Sequence, residues 1–188
     1  MATRHAFTVE EWHQMGEIGV FDEDARLELL DGEVMEMAPI GSRHAGCVSR
    51  ITQLLVRAVG ESGLVSPQNP VELDKRSEPQ PDLAVLRPRT DYYTTSHPIP
   101  DEILLVIEVA DSSLAYDRDR KAPYYARSGI AECWIVDLTH DEVIVMNVPS
   151  PHGYRRVQVT HRGEMVEIAA LAGVRLEVSD LLPPPYPA

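Results

Sequence analysis

The chain has 188 residues, 44% of them hydrophobic and 25% charged, which suits a single globular domain over 1–188 with a substantial core. Its formal net charge of −13 is the reverse of what a nucleic-acid coat protein carries, and it predicts poor non-specific affinity for phosphates. No apolar run reaches the roughly eighteen residues of a membrane span, and the first residues lack a signal-type apolar stretch, so a cytoplasmic protein without membrane association is expected.

Near the start, Thr8 and Glu11 have the spacing of a capping box, which predicts a short helix to about Met15, ended by Gly16 and Gly19. Residues 26–30 and 33–37 flank Asp31-Gly32, a strong hairpin signal. Ser42 is placed to cap a helix to about Val59, whose apolar positions Val48, Ile51, Leu54, Leu55 and Val59 recur at helical spacing. A short strand is expected at 71–73, followed by a polar turn from Asp74 to Gln80. A second strand follows Pro81-Asp82, and a Pro-rich loop over 87–100 carries Tyr92 and Tyr93.

The run Ile103 to Val109 is apolar except at Glu108, the pattern of a central strand covered on both faces. A helix is expected over 117–128, starting late or kinked because of Pro123. Residues 133–137 and 142–148 predict a hairpin through Thr139-His140-Asp141, and shorter strands are expected at 154–160, 165–168 and 174–178. The tail 183–188 reads as extended. This order predicts an α+β fold: a central mixed sheet flanked by helices, with an N-terminal helix and hairpin added.

Cys47 and Cys133 lie far apart in apolar settings and are expected to be buried free thiols. The seven histidines (His5, His13, His44, His97, His140, His152, His161) show none of the close spacings that signal zinc.

Chemistry concentrates between Pro81 and Lys121. Glu108 closes five consecutive apolar residues, and a buried charge needs a partner or a cation. Asp82 stands at the mouth of a comparable run. If the two strands are neighbours, their carboxylates converge on one ion, with the Val109 carbonyl as a further oxygen. Hard oxygen donors of this kind select Mg2+ or Mn2+. Only two lysines occur, Lys75 and Lys121, and Lys121 follows Asp117 by one helical turn. Beside a metal, a lysine orients or deprotonates water, or neutralises charge developing on phosphorus.

Pro81-Asp82, Glu108-Val109, Asp117-Arg118-x-Arg120-Lys121 and the segment from Tyr125 to Asp137 together resemble the Uma-type family. That family comprises restriction-endonuclease-like proteins within the PD-(D/E)XK nuclease superfamily. The resemblance reaches upstream to Leu27-Glu28-Leu29-Leu30-Asp31-Gly32-Glu33-Val34 and to His44, and so spans about residues 7 to 182. It implies a restriction-endonuclease-like core (α/β/α-like) and metal-dependent hydrolysis of DNA phosphodiester bonds. Asp82 and Glu108 match the metal-binding carboxylates, and Glu33 and His44 match recurrent positions of lesser standing. The superfamily's usual lysine position is held here by Ala110; in the Uma-type branch the lysine comes from the following helix, which matches Lys121. Analogy with the fold also suggests a homodimer.

Plainer readings stand beside these. Asp82 reads equally as a turn residue, Lys121 as half of a surface ion pair with Asp117, His44 as a satisfied histidine and Glu33 as solvated. Arg155-Arg156 and Lys75-Arg76 are the best candidates for a DNA-facing strip. The competing functional expectation is a nuclease fold retained as a binding or assembly module without catalysis. A hydrolase acting on small molecules with the same metal is a third.

Overall fold

The computed structural model describes residues 3–22 and 24–184. Helix α1 (Val9–Glu17) begins with the capping box the sequence predicts: Thr8 accepts from the Glu11 amide, and Glu11 accepts from the Thr8 amide. The strands β1 (Leu27–Leu30) and β2 (Glu33–Glu36) pair antiparallel around Asp31 and Gly32. Both turn residues have positive φ, 53° and 77°, as a two-residue hairpin of type I′ requires.

Helix α2 (Ser42–Val59) buries Cys47, Val48, Ile51, Leu55 and Val59 along one stripe. Its N-cap is Gly41 rather than Ser42, so no side chain caps it. The strand expected at 71–73 does not form. Val71 and Leu73 are buried, but their amides bond the carbonyls of Pro79 and Ser77, inside a tight loop after Pro70. The strand in this region is β3 (Leu64–Pro67), a four-residue edge strand ending in proline, where a missing N–H is tolerated.

β4 (Leu83–Leu86), β5 (Ile103–Ala110), β6 (Glu132–Asp137), β7 (Glu142–Ser150) and β8 (Gly153–His161) complete a six-stranded sheet in the order β3-β4-β5-β6-β7-β8. Only β5 and β6 run parallel. Every residue of β4, β5 and β6 is buried, which explains why these strands are apolar but for Glu108 in β5 and the end residues Glu132 and Asp137 of β6. Alternation along β5 sends Leu105, Ile107 and Val109 to the face covered by α2, and Val106 and Ala110 to the opposite face. Glu108 shares that opposite face.

The crossover from β5 to β6 holds one short helical turn α3 (Leu114–Tyr116), a wide π-helical turn over Asp117–Lys121, and α4 (Ala122–Arg127). The Ala122 amide reaches back to the Asp117 carbonyl, five residues away. Pro123 has no N–H to give and crowds the preceding turn, and the wider turn absorbs it. Ala122 and Tyr125 then pack on the sheet face that carries Glu108. After β8, a two-stranded hairpin of β9 (Met165–Glu167) and β10 (Arg175–Glu177) leads into a short helix, α5 (Val178–Leu181), not anticipated from the sequence. Of the tail, 185–188 lie outside the described residues. Cys47 and Cys133 are buried free thiols.

Candidate active site

The strands β4 and β5 are neighbours, and their register pairs Leu83 with Ile107. One further step sets Asp82 opposite Glu108, just beyond the end of the ladder. The two residues are joined there: the Asp82 amide lies 3.4 Å from Glu108 Oε2. The Val109 amide donates to Asp82 Oδ2 at 2.8 Å, so Asp82 takes the place of the next ladder partner. Because N–H and C=O of one strand residue face the same edge, the Val109 carbonyl also faces Asp82. The carbonyl of Ala110, by contrast, accepts from Leu138 on the β6 side.

Lys121 reaches this point from the π-helical turn. Its Nζ lies 2.8 Å from Glu108 Oε1 and 3.3 Å from Glu28 Oε2, and donates to the Gln80 carbonyl at 3.3 Å. Its side chain is 4% exposed, so the surface ion pair with Asp117 is not what forms. The wide turn offsets the usual i, i+4 alignment, and Asp117 accepts instead from Ser113 Oγ at 2.6 Å.

Glu28, Tyr116 and Tyr125 complete the cluster, and none of the three stands out as a site residue in the sequence. Glu28, on β1, accepts from Tyr116 Oη at 3.0 Å and from the Gln80 amide at 3.1 Å. Tyr125 Oη donates to Glu108 Oε1 at 2.5 Å. The available signal for Glu28 was the same as for Glu108, a lone carboxylate inside an apolar run. Tyr125 gave none, since a tyrosine on an amphipathic helix reads as core.

His44, at the start of α2, is brought to Asp82: Nε2 lies 2.9 Å from Oδ2, while Nδ1 is buried without a hydrogen-bond partner among the described residues. Glu33 is not brought in; it pairs with Arg4 and Arg120 at the surface.

Burial decides the electrostatics. It pushes Glu108 up to about 8, with Lys121 pulling the other way and Asp117 and Asp82 adding to the rise. Burial likewise raises Asp117, to about 6. For Lys121, burial acts downward but the surrounding Glu108, Glu28 and Asp117 outweigh it, so the ammonium is held above its ordinary value. The hydrogen bond to Asp82 raises His44, against the effect of burial. Several acids thus share one lysine, and the cluster keeps a proton that free carboxylates would have lost at neutral pH.

The cluster lines a cleft of about 390 Å³, walled by the β1–β2 hairpin, the segment that follows it, the start of α2 and the Asp111–Ser113 loop. Its donors fit a hard divalent cation. Asp82 Oδ1 has no partner among the described residues and Glu108 Oε2 has only the long contact from the Asp82 amide. Both are carboxylate oxygens, beside a strand carbonyl, and the nearby imidazole nitrogen is already committed to Asp82.

The fold is nuclease-like. It matches the crystal structure of a protein from Anabaena variabilis, described as a putative nuclease belonging to DUF820, with a TM-score of 0.70 at 13% identity, over 93% of this chain and 97% of that one. The chain belongs to the Uma2 family, described as "Putative restriction endonuclease", whose profile matches residues 9–179. No curated protein matches it by sequence.

Proposed function

We propose that the protein is a metal-dependent endonuclease that hydrolyses DNA phosphodiester bonds in the cleft above Asp82 and Glu108. The observation that carries this reading is the convergence of Asp82, Glu108 and Lys121, from the approach to β4, from β5 and from the π-helical turn, on one spot. The family's description and the neighbour's name as a nuclease support the substrate class.

In this reading Asp82, Glu108 and the Val109 carbonyl hold Mg2+ or Mn2+. Such an ion, when bound, polarises a phosphoryl oxygen and lowers the pKa of water. His44 and the Val109 amide fix the orientation of the Asp82 carboxylate. Tyr125 and Lys121 hold Glu108 Oε1, which leaves Oε2 for the cation. Lys121, raised as it is, remains an ammonium and acts as a donor: it orients water and offsets charge developing on the phosphate. A base role for Lys121 does not fit this environment.

The test is cleavage of supercoiled plasmid and of single-stranded DNA with Mg2+ or Mn2+, comparing wild type with Asp82→Asn, Glu108→Gln and Lys121→Met. The expected result is metal-dependent cleavage that falls about a hundredfold or more in each variant. Full activity in Asp82→Asn would sink the site assignment. A wild type that binds the metal yet cuts neither substrate would leave a binding module.

A further inference from the structure

Outside the cleft, three residues distant in sequence meet at the other end of the segment that delivers Asp82. His13 on α1, Glu78 in the loop before β4 and His97 in the Pro-rich loop each present a ligand atom, all within 4.8 Å of one another. His13 Nε2 lies 2.9 Å from both Glu78 oxygens. The Glu78 side chain is only 4% exposed, whereas that of His13 is 45% exposed. The two imidazole rings stand edge to face, with centroids 6.1 Å apart.

A plain His13–Glu78 ion pair accounts for the first contact but not for the third member. His97 makes no hydrogen bond to either partner among the described residues, although its ring nitrogen lies within reach of the same point. In a tetrahedral zinc site, bonds of roughly 2.0–2.2 Å set ligand atoms about 3.3 Å apart, so a small approach of His97 closes the set. Two imidazoles and one carboxylate suit zinc-class ions and are a poor set for Mg2+, which prefers oxygen alone. Glu78 is braced from behind by the reciprocal backbone bonds between its own residue and Leu29.

We infer that His13, Glu78 and His97 form a second metal site, separate from the cleft, that binds one transition ion of the zinc class with a position left for water. Bound there, the ion ties α1 and the Pro-rich loop to the strand approach that carries Gln80 and Asp82. It closes one long and one shorter chain loop, and so raises stability by holding the folded arrangement.

The experiment is a calorimetric titration of the tag-free, chelator-stripped full chain with Zn2+, with Co2+ as an optical probe of imidazole ligation. Wild type is expected to bind one zinc per chain, to melt at a higher temperature with it, and to hold it in excess Mg2+. His97→Ala and His13→Ala should each weaken zinc binding by more than about a hundredfold, beyond the roughly tenfold to hundredfold that loss of an outer-shell partner causes. Their melting temperatures without zinc are the check that both variants fold. Asp82→Asn should bind zinc as wild type does. Three results overturn the inference: no zinc bound by wild type, affinity unchanged in folded His97→Ala and His13→Ala, or affinity lost in Asp82→Asn.

Discussion

Lys121 Nζ lies 2.8 Å from Glu108 Oε1, although the strand position two residues after Glu108, where the superfamily carries its lysine, is Ala110. The cation comes from the next element and meets the same carboxylate. Ala110 meanwhile packs against the α4 face of the sheet. The long reach depends on the wide turn over Asp117–Lys121, which turns Lys121 inward.

Replacing Lys121 with alanine should therefore damage both fold and site. Glu108 and Glu28 would be left buried without their cation, a loss of about 3 kcal/mol. Urea unfolding at pH 7 measures it.

The raised carboxylates give metal binding a defined pH dependence. Glu108, pushed up to about 8, carries a proton that a cation must displace. Affinity for Mg2+ should rise as pH goes from 6 to 8.5, with proton release visible in calorimetry in buffers of different ionisation enthalpy. For the metal-free protein the sign reverses. A carboxyl whose folded pKa exceeds its unfolded value of about 4.5 contributes stability that is complete below pH 4.5 and is lost as pH rises through about 8. The rise in melting temperature caused by Mg2+ should be larger at pH 8.5 than at pH 6. Equal shifts at both would argue against Glu108 as a ligand.

Tyr125→Phe removes one hydroxyl that donates to Glu108 at 2.5 Å inside the core. The expected loss is about 1–3 kcal/mol, since the carboxylate keeps Lys121 but forfeits a buried donor. Cleavage should persist at a reduced rate, unlike in Lys121→Met, because the cation remains. Equilibrium unfolding read beside plasmid cleavage separates the two effects.

His44→Gln should weaken Mg2+ binding by about tenfold to a hundredfold while the fold is kept, since His44 orients Asp82 and, among the described residues, hydrogen-bonds no other member of the cluster. Isothermal titration gives the affinity. An unchanged value would reduce His44 to a packing residue.

Gly32→Ala tests the hairpin that delivers Glu28. Its φ is +77°, and an added Cβ would stand 2.7 Å from Ala6 Cβ and 2.8 Å from the Ala6 carbonyl carbon. Because backbone lies in the way, the N-terminal segment must shift. A loss of about 1–3 kcal/mol is expected by urea unfolding, well above that of an ordinary Gly→Ala change.

Local chemistry in the chain already marks most of the scaffold. The Thr8–Glu11 box, the Asp31-Gly32 turn, the stripe on α2 and the apolar runs of β4, β5 and β6 are set by neighbours within a few residues, so they are legible without the fold. Where propensity and packing disagree, the local reading fails. Val71 to Leu73 has strand-like residues, yet Pro70 and the Asp74–Ser77 turn fold it into a loop, while the weaker Leu64–Pro67 finds β4 as a partner. The site divides in the same way. Asp82 and Glu108 are conspicuous because carboxylates at the ends of apolar runs must be answered somewhere. Their answer depends on contacts that span the chain: the register opposing Asp82 to Glu108, the turn that swings Lys121 inward, Glu28 arriving from β1, and His44 from α2. The same holds for His13, Glu78 and His97, whose spacing in sequence carries no metal signature. Strand pairing and side-chain packing act between residues tens of positions apart, and only the assembled sheet brings such residues within bonding distance.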